Sequence, residues 1–104
     1  MLDLVLSNQF RKDLKLVTKR GYNLQLLNQI VDTLAQPKSL PLNNRDHNLS
    51  GNYSHFRECH ITPDWLLIYR IDPENSTLFL ARTGTHSDLF RQDELRIIAT
   101  KRPL

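Results

Sequence analysis

Residues 53–83 read YSHFRECHITPDWLLIYRIDPENSTLFLART. Tyr53 to Ile61 alternate imperfectly between apolar and polar, the two-residue period of a half-buried strand. Pro63-Asp64 makes a turn. From Trp65 to Ile71 the alternation strengthens and puts Trp65, Leu67, Tyr69 and Ile71 on one face. Asp72-Pro73-Glu74-Asn75 reads as a second turn, because proline presets the first turn dihedral and asparagine tolerates the last. Leu78 to Thr83 is a third strand. Three strands joined by tight turns form an antiparallel meander.

Upstream, Leu2-Asp3-Leu4-Val5-Leu6 is short, apolar and partly alternating, and predicts a well-buried strand. Ser7 or Asn8 can cap a following helix, since a short side-chain oxygen accepts an orphan backbone N–H. Phe10, Leu14 and Val17 recur at helical spacing, and Gly21 ends the run. A second helix is expected over residues 22–36, with Leu24, Leu27, Val31 and Leu34 as its core stripe and Ile30 beside them. Pro37 stops it. So short a connection forces the two helices into an antiparallel hairpin. Residues 37–50 lack periodicity and read as a loop. Downstream, Gly84 breaks the pattern and Thr85-His86-Ser87-Asp88-Leu89-Phe90 enters a short helical segment. Residues 91–104 are open between helix and strand around Leu95, Ile97 and Ile98, and Lys101-Arg102-Pro103 reads as frayed. Segregated helices and strands argue for an α+β fold: an N-terminal strand, a helix hairpin on one sheet face, then the meander. The other face is expected to stay open for a large partner.

The chain has 104 residues, which fits one domain over 1–104. Hydrophobic residues make up 39% and charged residues 24%, ordinary for a folded soluble protein. No apolar run is long enough to span a bilayer and the N-terminus lacks a signal-peptide pattern, so no membrane and a cytoplasmic location are expected. The single cysteine, Cys59, excludes an internal disulfide and fits a reducing compartment; mid-strand, it reads as a small buried residue. The formal charge of +3 leans mildly toward polyanions. Its distribution says more: Arg11, Lys12, Lys15, Lys19 and Arg20 crowd the first helix. They form either a solvated face or a phosphate-binding surface.

His47, His60 and His86 lie in a loop, at a strand end and just past a strand end. Histidine titrates near neutral pH and suits general acid–base work. Near a phosphate, one could remove the proton from a ribose 2′-hydroxyl and another could protonate the departing 5′-oxygen. The plain alternative is scattered surface histidines. Zinc binding by His47, His60, Asp64 and His86 is a further option, but their spacings match no compact zinc signature. Arg82 could pair with Asp64 or Glu58, or grip a phosphate. Trp65 and Phe90 are core by default. Either could instead stack on an unpaired base if partly exposed.

Three blocks, DHNLSG from Asp46, HITPDWLLIY from His60 and RTGTHSDLF from Arg82, follow the helix hairpin in that order. In this they resemble the YafQ branch of the RelE/ParE toxin superfamily, over roughly residues 1–90. Residues 91–104 extend past the pattern. The resemblance implies the toxin of a type II toxin–antitoxin pair, a ribosome-dependent mRNA endonuclease that uses no metal or other cofactor. It implies functional roles for His47, His60, Asp64, Arg82, His86 and Phe90, with Trp65 adjoining. His60 and His86 would move protons, His47 and Asp64 assist, Arg82 hold the scissile phosphate and Phe90 position a base. All of these are expected to face the partner surface rather than the core. The implied partners are a DinJ-like antitoxin, the ribosomal A site and mRNA, with operator DNA reached only through the antitoxin complex. ParE-like members of the superfamily, which inhibit DNA gyrase without catalysis, are the main rival, and a plain RNA-binding domain the second.

Overall fold

The computed structural model of the protein describes residues 1–90. The expectations placed on Leu95, Ile97 and Ile98 lie outside these residues. In chain order the elements are β1 (Asp3–Leu6), α1 (Asn8–Lys19), α2 (Leu24–Ala35), β2 (His47–Asn48), β3 (Arg57–Thr62), β4 (Trp65–Asp72), β5 (Thr77–Gly84) and α3 (His86–Leu89). Single 3-10 turns occupy Leu42–Asn44 and Gly51–Tyr53. The fold is α+β with a mixed five-stranded sheet in the order β1-β5-β4-β3-β2.

Local chemistry sets the helix ends. Ser7 caps α1 by accepting from the Phe10 N–H, and Asn23 caps α2 through Gln25. Gly21 sits at φ +79°, in the left-handed region that lets the chain reverse between the helices. In the β4–β5 turn, Asp72 accepts from both the backbone and the side chain of Asn75. It is Ser76, one residue later than expected, that takes the positive φ.

The meander is present as β3–β4–β5, with β3 beginning at Arg57 rather than Tyr53, because residues 51–53 are spent on a turn. Trp65, Leu67, Tyr69 and Ile71 do share one face. With Leu78, Leu80 and Cys59 they pack against Phe10 and Val17 of α1 and the α2 stripe. Burial drives the Cys59 thiol pKa well above its usual range, which fits an inert core residue.

Two expectations need correction. β1 is an edge strand, paired in parallel with β5 alone; Leu4 is 51% and Val5 45% exposed. Apolar alternation marked the strand but could not show that it had one neighbour instead of two. Nor is the second sheet face bare. Leu66 and Ile68 of β4 point there, where Leu49, Leu89 and Phe90 bury them beneath Tyr53 and Phe56. Each buried side chain of this size contributes roughly 1.5–3 kcal/mol, so this small second core fixes both segments that frame the site.

β1 is shorter than β5. It ends with Leu6 opposite Leu80, leaving β5 without a strand neighbour on that side from Ala81 to Gly84. α1 takes over there: the Ser7 hydroxyl donates to the Ala81 carbonyl, and the Thr83 N–H donates to Asp13 of the helix. A bulge falls at the same place. Tyr69 faces Leu80 and Ile68 faces Arg82, so Ala81 is the extra residue. Bulges bend a strand and re-aim the side chains beside them, and this one flanks Arg82.

Candidate active site

β3 supplies the centre of the site. His60 lies opposite Leu66, and Glu58 opposite Ile68, so both project to the face away from the hairpin. His47 arrives on the two-residue strand β2, directly opposite Glu58. Its loop is held by Asp46, which accepts from the Tyr69 hydroxyl at 2.6 Å and from Arg57 Nε at 3.2 Å. Burial and that hydrogen bond push the Tyr69 hydroxyl pKa well above its ordinary value, keeping it a donor. Asn44 adds a bond from its side chain to the His60 carbonyl.

His86 opens α3. Thr85 and Asp88 form a reciprocal capping box, each side chain bonding the other's backbone N–H. Asp88 also receives both Nη1 and Nη2 of Arg20, at 2.5 and 3.0 Å, and this arginine with the Thr85 bonds holds its carboxyl down to about 2. Gly84 makes the approach possible. It sits at φ +149°, and a Cβ there would lie 2.9 Å from Asp88 Oδ2.

The rings line up. Centroids of His47 and His60 are 6.5 Å apart, those of His60 and His86 6.0 Å, and those of His86 and Phe90 6.2 Å. His47 Nδ1 lies 2.6 Å from the Arg45 carbonyl and His60 Nδ1 3.3 Å from the Pro63 carbonyl. A carbonyl only accepts, so Nδ1 carries the proton in both rings and Nε2 is the nitrogen left to exchange one. His47 Nε2 faces Glu58 Oε1 at 3.5 Å.

The chain belongs to the YafQ family of type II toxins. Residues 2–91 match the family described as the bacterial toxin of type II toxin–antitoxin system, YafQ. Similar proteins include the mRNA interferase toxin YafQ of Escherichia coli K12, 39% identical over 90 residues that cover 85% of this chain and 95% of that protein. A metal-bound toxin from Helicobacter pylori superposes with a TM-score of 0.82 at 47% identity, covering 86% of this chain and all of that one. YafQ in the E. coli DinJ–YafQ complex gives 0.77 at 36% identity, covering 86% and 99%.

Of the family positions, the structure brings together His47, His60, His86 and Phe90. Arg82 adjoins them through Asp88, whose carbonyl accepts from its Nη2 at 3.5 Å. The expected carboxylate partners of Arg82 were Asp64 and Glu58, but its partner is Asp13, with Nε 2.8 Å from Oδ2. That pairing joins residues 69 positions apart, beyond the reach of any local pattern. Asp64 is exposed in the β3–β4 turn and borders a cleft with Tyr22, Leu26 and Trp65 on the hairpin side. Among the described residues, no hydrogen bond or ion pair joins it to the histidines.

The two aromatics take the core positions that were their default, not the base-stacking ones implied by the resemblance. Trp65 is 3% exposed, donates to the Thr83 hydroxyl and meets Tyr22 edge-on, so it has no face to offer a base. Phe90 is 4% exposed and closes the second core against Tyr53. Its neighbour His86 is the exposed member of that pair. The residue that sequence reasoning did not place in the site is Glu58. It is buried, touches His47, and its Oε2 has no hydrogen-bond partner. A carboxylate two residues before a histidine in one strand, and so on the same face, was the available signal.

Among the described residues, no three His, Cys, Asp or Glu side chains converge in a way that could hold a metal ion. Arg11, Lys12, Lys15 and Lys19 are all exposed on α1, on the helix tied to the site by Asp13 and Arg20.

Proposed function

We propose that this chain cuts mRNA on the ribosome. The observation that carries the reading is the row of three histidine rings at 6.0–6.5 Å spacing on the face away from the hairpin, with Arg82 held beside it. General base and general acid must reach opposite sides of one phosphate, and adjacent imidazoles at this spacing bracket a group of that size. One histidine of the pair His60 and His86 takes the 2′-hydroxyl proton. The 2′-oxygen attacks the phosphorus, the bond to the 5′-oxygen breaks, and the other histidine protonates that oxygen. Arg82 neutralises the charge that builds on the phosphate. Glu58 stands behind His47, its Oε1 3.5 Å from Nε2, and orients that ring, and Asp64 assists from the turn.

The E. coli relatives carry the name mRNA interferase, and one was crystallised with DinJ. By that likeness the partner here is a DinJ-like antitoxin that covers the histidine face, and operator DNA is reached only through their complex. No helix among the described residues is long and apolar enough to cross a membrane, which is consistent with work on cytoplasmic ribosomes. A gyrase inhibitor would not need this histidine row. The chain acts as one domain, with the exposed lysines of α1 meeting ribosomal RNA. Expressing the chain without its antitoxin and mapping the 5′ ends of cellular mRNA tests the reading: cuts confined to translated message support it, and intact message with arrested growth would replace it with the gyrase reading.

A further inference from the structure

Asp13 is a buried carboxylate, 6% exposed, on the otherwise basic helix α1. Four donors converge on it. Oδ2 accepts from Arg82 Nε at 2.8 Å and from the Thr83 N–H at 3.1 Å. Oδ1 accepts from Arg82 Nη2 at 3.3 Å and from Gln9 Nε2 at 3.1 Å. A carboxylate has about four acceptor positions, so this one is saturated. Two of its donors lie side by side on one guanidinium, a geometry that fixes the plane of the group as well as its position. The Thr83 bond ties the same carboxylate to the backbone of β5 one residue on, where no strand pairs with that edge. Gln9, one helical turn earlier, holds the carboxylate itself.

An arginine side chain has several free torsions, and a position on a bulged strand does not place its end. We propose that Asp13 is a positioning residue for RNA cleavage: it holds the Arg82 guanidinium where that group meets the scissile phosphate, and it acts on the reaction only through Arg82. The proposal rests on the role given to Arg82 above. A merely structural ion pair would stabilise the fold to the same end whether or not Arg82 takes part in chemistry, so the two cases differ in how their effects combine.

The test is a double-mutant cycle on single-turnover cleavage of mRNA in programmed ribosomes, using the wild type, Asp13→Asn, Arg82→Ala and the double variant. Circular dichroism fixes a temperature at which all four are folded. Loss of a transition-state donor slows a reaction by about 10²–10³-fold, the expectation for Arg82→Ala. A misplacement of about 1 Å costs on the order of 10²-fold, the expectation for Asp13→Asn. Ribosome binding by Asp13→Asn should be unchanged, since the exposed face of α1 is untouched. The double variant should be no slower than Arg82→Ala. Should Asp13→Asn not fold, Asp13→Glu, which keeps the charge and shifts it by one methylene, enters the same cycle. A double variant slower than Arg82→Ala by the full factor of the Asp13 change overturns the proposal, as does wild-type cleavage by Asp13→Asn beside a slow Arg82→Ala. An Arg82→Ala variant at the wild-type rate removes Arg82 from the chemistry and Asp13 with it. A wild type that cuts no mRNA removes the nuclease reading itself.

Discussion

Arg20, the residue that ends α1, forks onto both carboxylate oxygens of Asp88 in α3, across 68 positions of sequence. The bridge pins the four-residue helix that presents His86 to the first helix of the chain. A helix this short has no stability of its own, so its place depends on the cap, the bridge and the burial of Leu89.

The bridge has a pH signature. The Asp88 carboxyl is held down to about 2, against an ordinary value of about 4. A folded-state value below the unfolded one means that the stabilisation is complete above about pH 4 and is lost as pH falls toward 2. Arg20 is 36% exposed, so salt and water screen the effect and it is modest. Asp88→Asn should melt below the wild type at pH 6, with the gap shrinking by pH 2.5. A gap that widens on acidification would show that the carboxylate is not stabilising α3.

Glu58→Gln should slow cleavage by roughly tenfold to a hundredfold while the protein stays folded, because the amide keeps the shape but loses the charge facing His47. Single-turnover rates with melting curves check this. An unchanged rate would return Glu58 to a purely structural role.

Phe90→Ala should cost about 3–5 kcal/mol of stability, as other large buried aromatics do, since the ring closes the second core. Denaturant unfolding measures it. Trp65→Phe, which loses the bond to Thr83 but keeps an aromatic in the core, should leave RNA binding by the folded protein unchanged. Weaker RNA binding by a folded Trp65→Phe would put this side chain back in the interface.

Much of this arrangement was legible in the sequence. Periodicity located both helices and all three strands of the meander, because a two-layer core imposes its period on Leu24, Leu27, Val31 and Leu34 and on Trp65, Leu67 and Tyr69. The histidines were legible as a candidate set from their loop and strand-end positions, and as a functional site only through family resemblance, since nothing local shows that positions 47, 60 and 86 meet. What escaped was long-range or one-sided. The exposed edge of β1 depends on neighbour count, and the second core on where residues 49–56 fold back. The Asp13–Arg82 pair depends on α1 replacing a strand beside β5. For Trp65 and Phe90 the core default held and the base-stacking alternative did not, because an aromatic beside polar site residues has the same local pattern whether it faces solvent or the core.

Replacing Arg11, Lys12, Lys15 and Lys19 with glutamine should weaken ribosome binding and flatten its dependence on salt, as fewer counterions are released on docking. The fold should persist, because all four side chains are exposed. Binding measured across a salt series decides it, and an unchanged slope would leave this face merely solvated.

The histidine row is expected to perform acid–base cleavage through the ribose 2′-hydroxyl. The most direct measurement is the chemistry of the two RNA ends produced in programmed ribosomes, read for the wild type and for His86→Ala. His86 is exposed, so its removal should leave the fold intact. Acid–base help is worth about 10²–10⁴-fold. The expected result is a 2′,3′-cyclic or 3′-phosphate on one fragment, a 5′-hydroxyl on the other, and a loss of about 10²-fold or more in the variant. Ends bearing 5′-phosphate, or a folded His86→Ala protein that cuts at the wild-type rate, would contradict it.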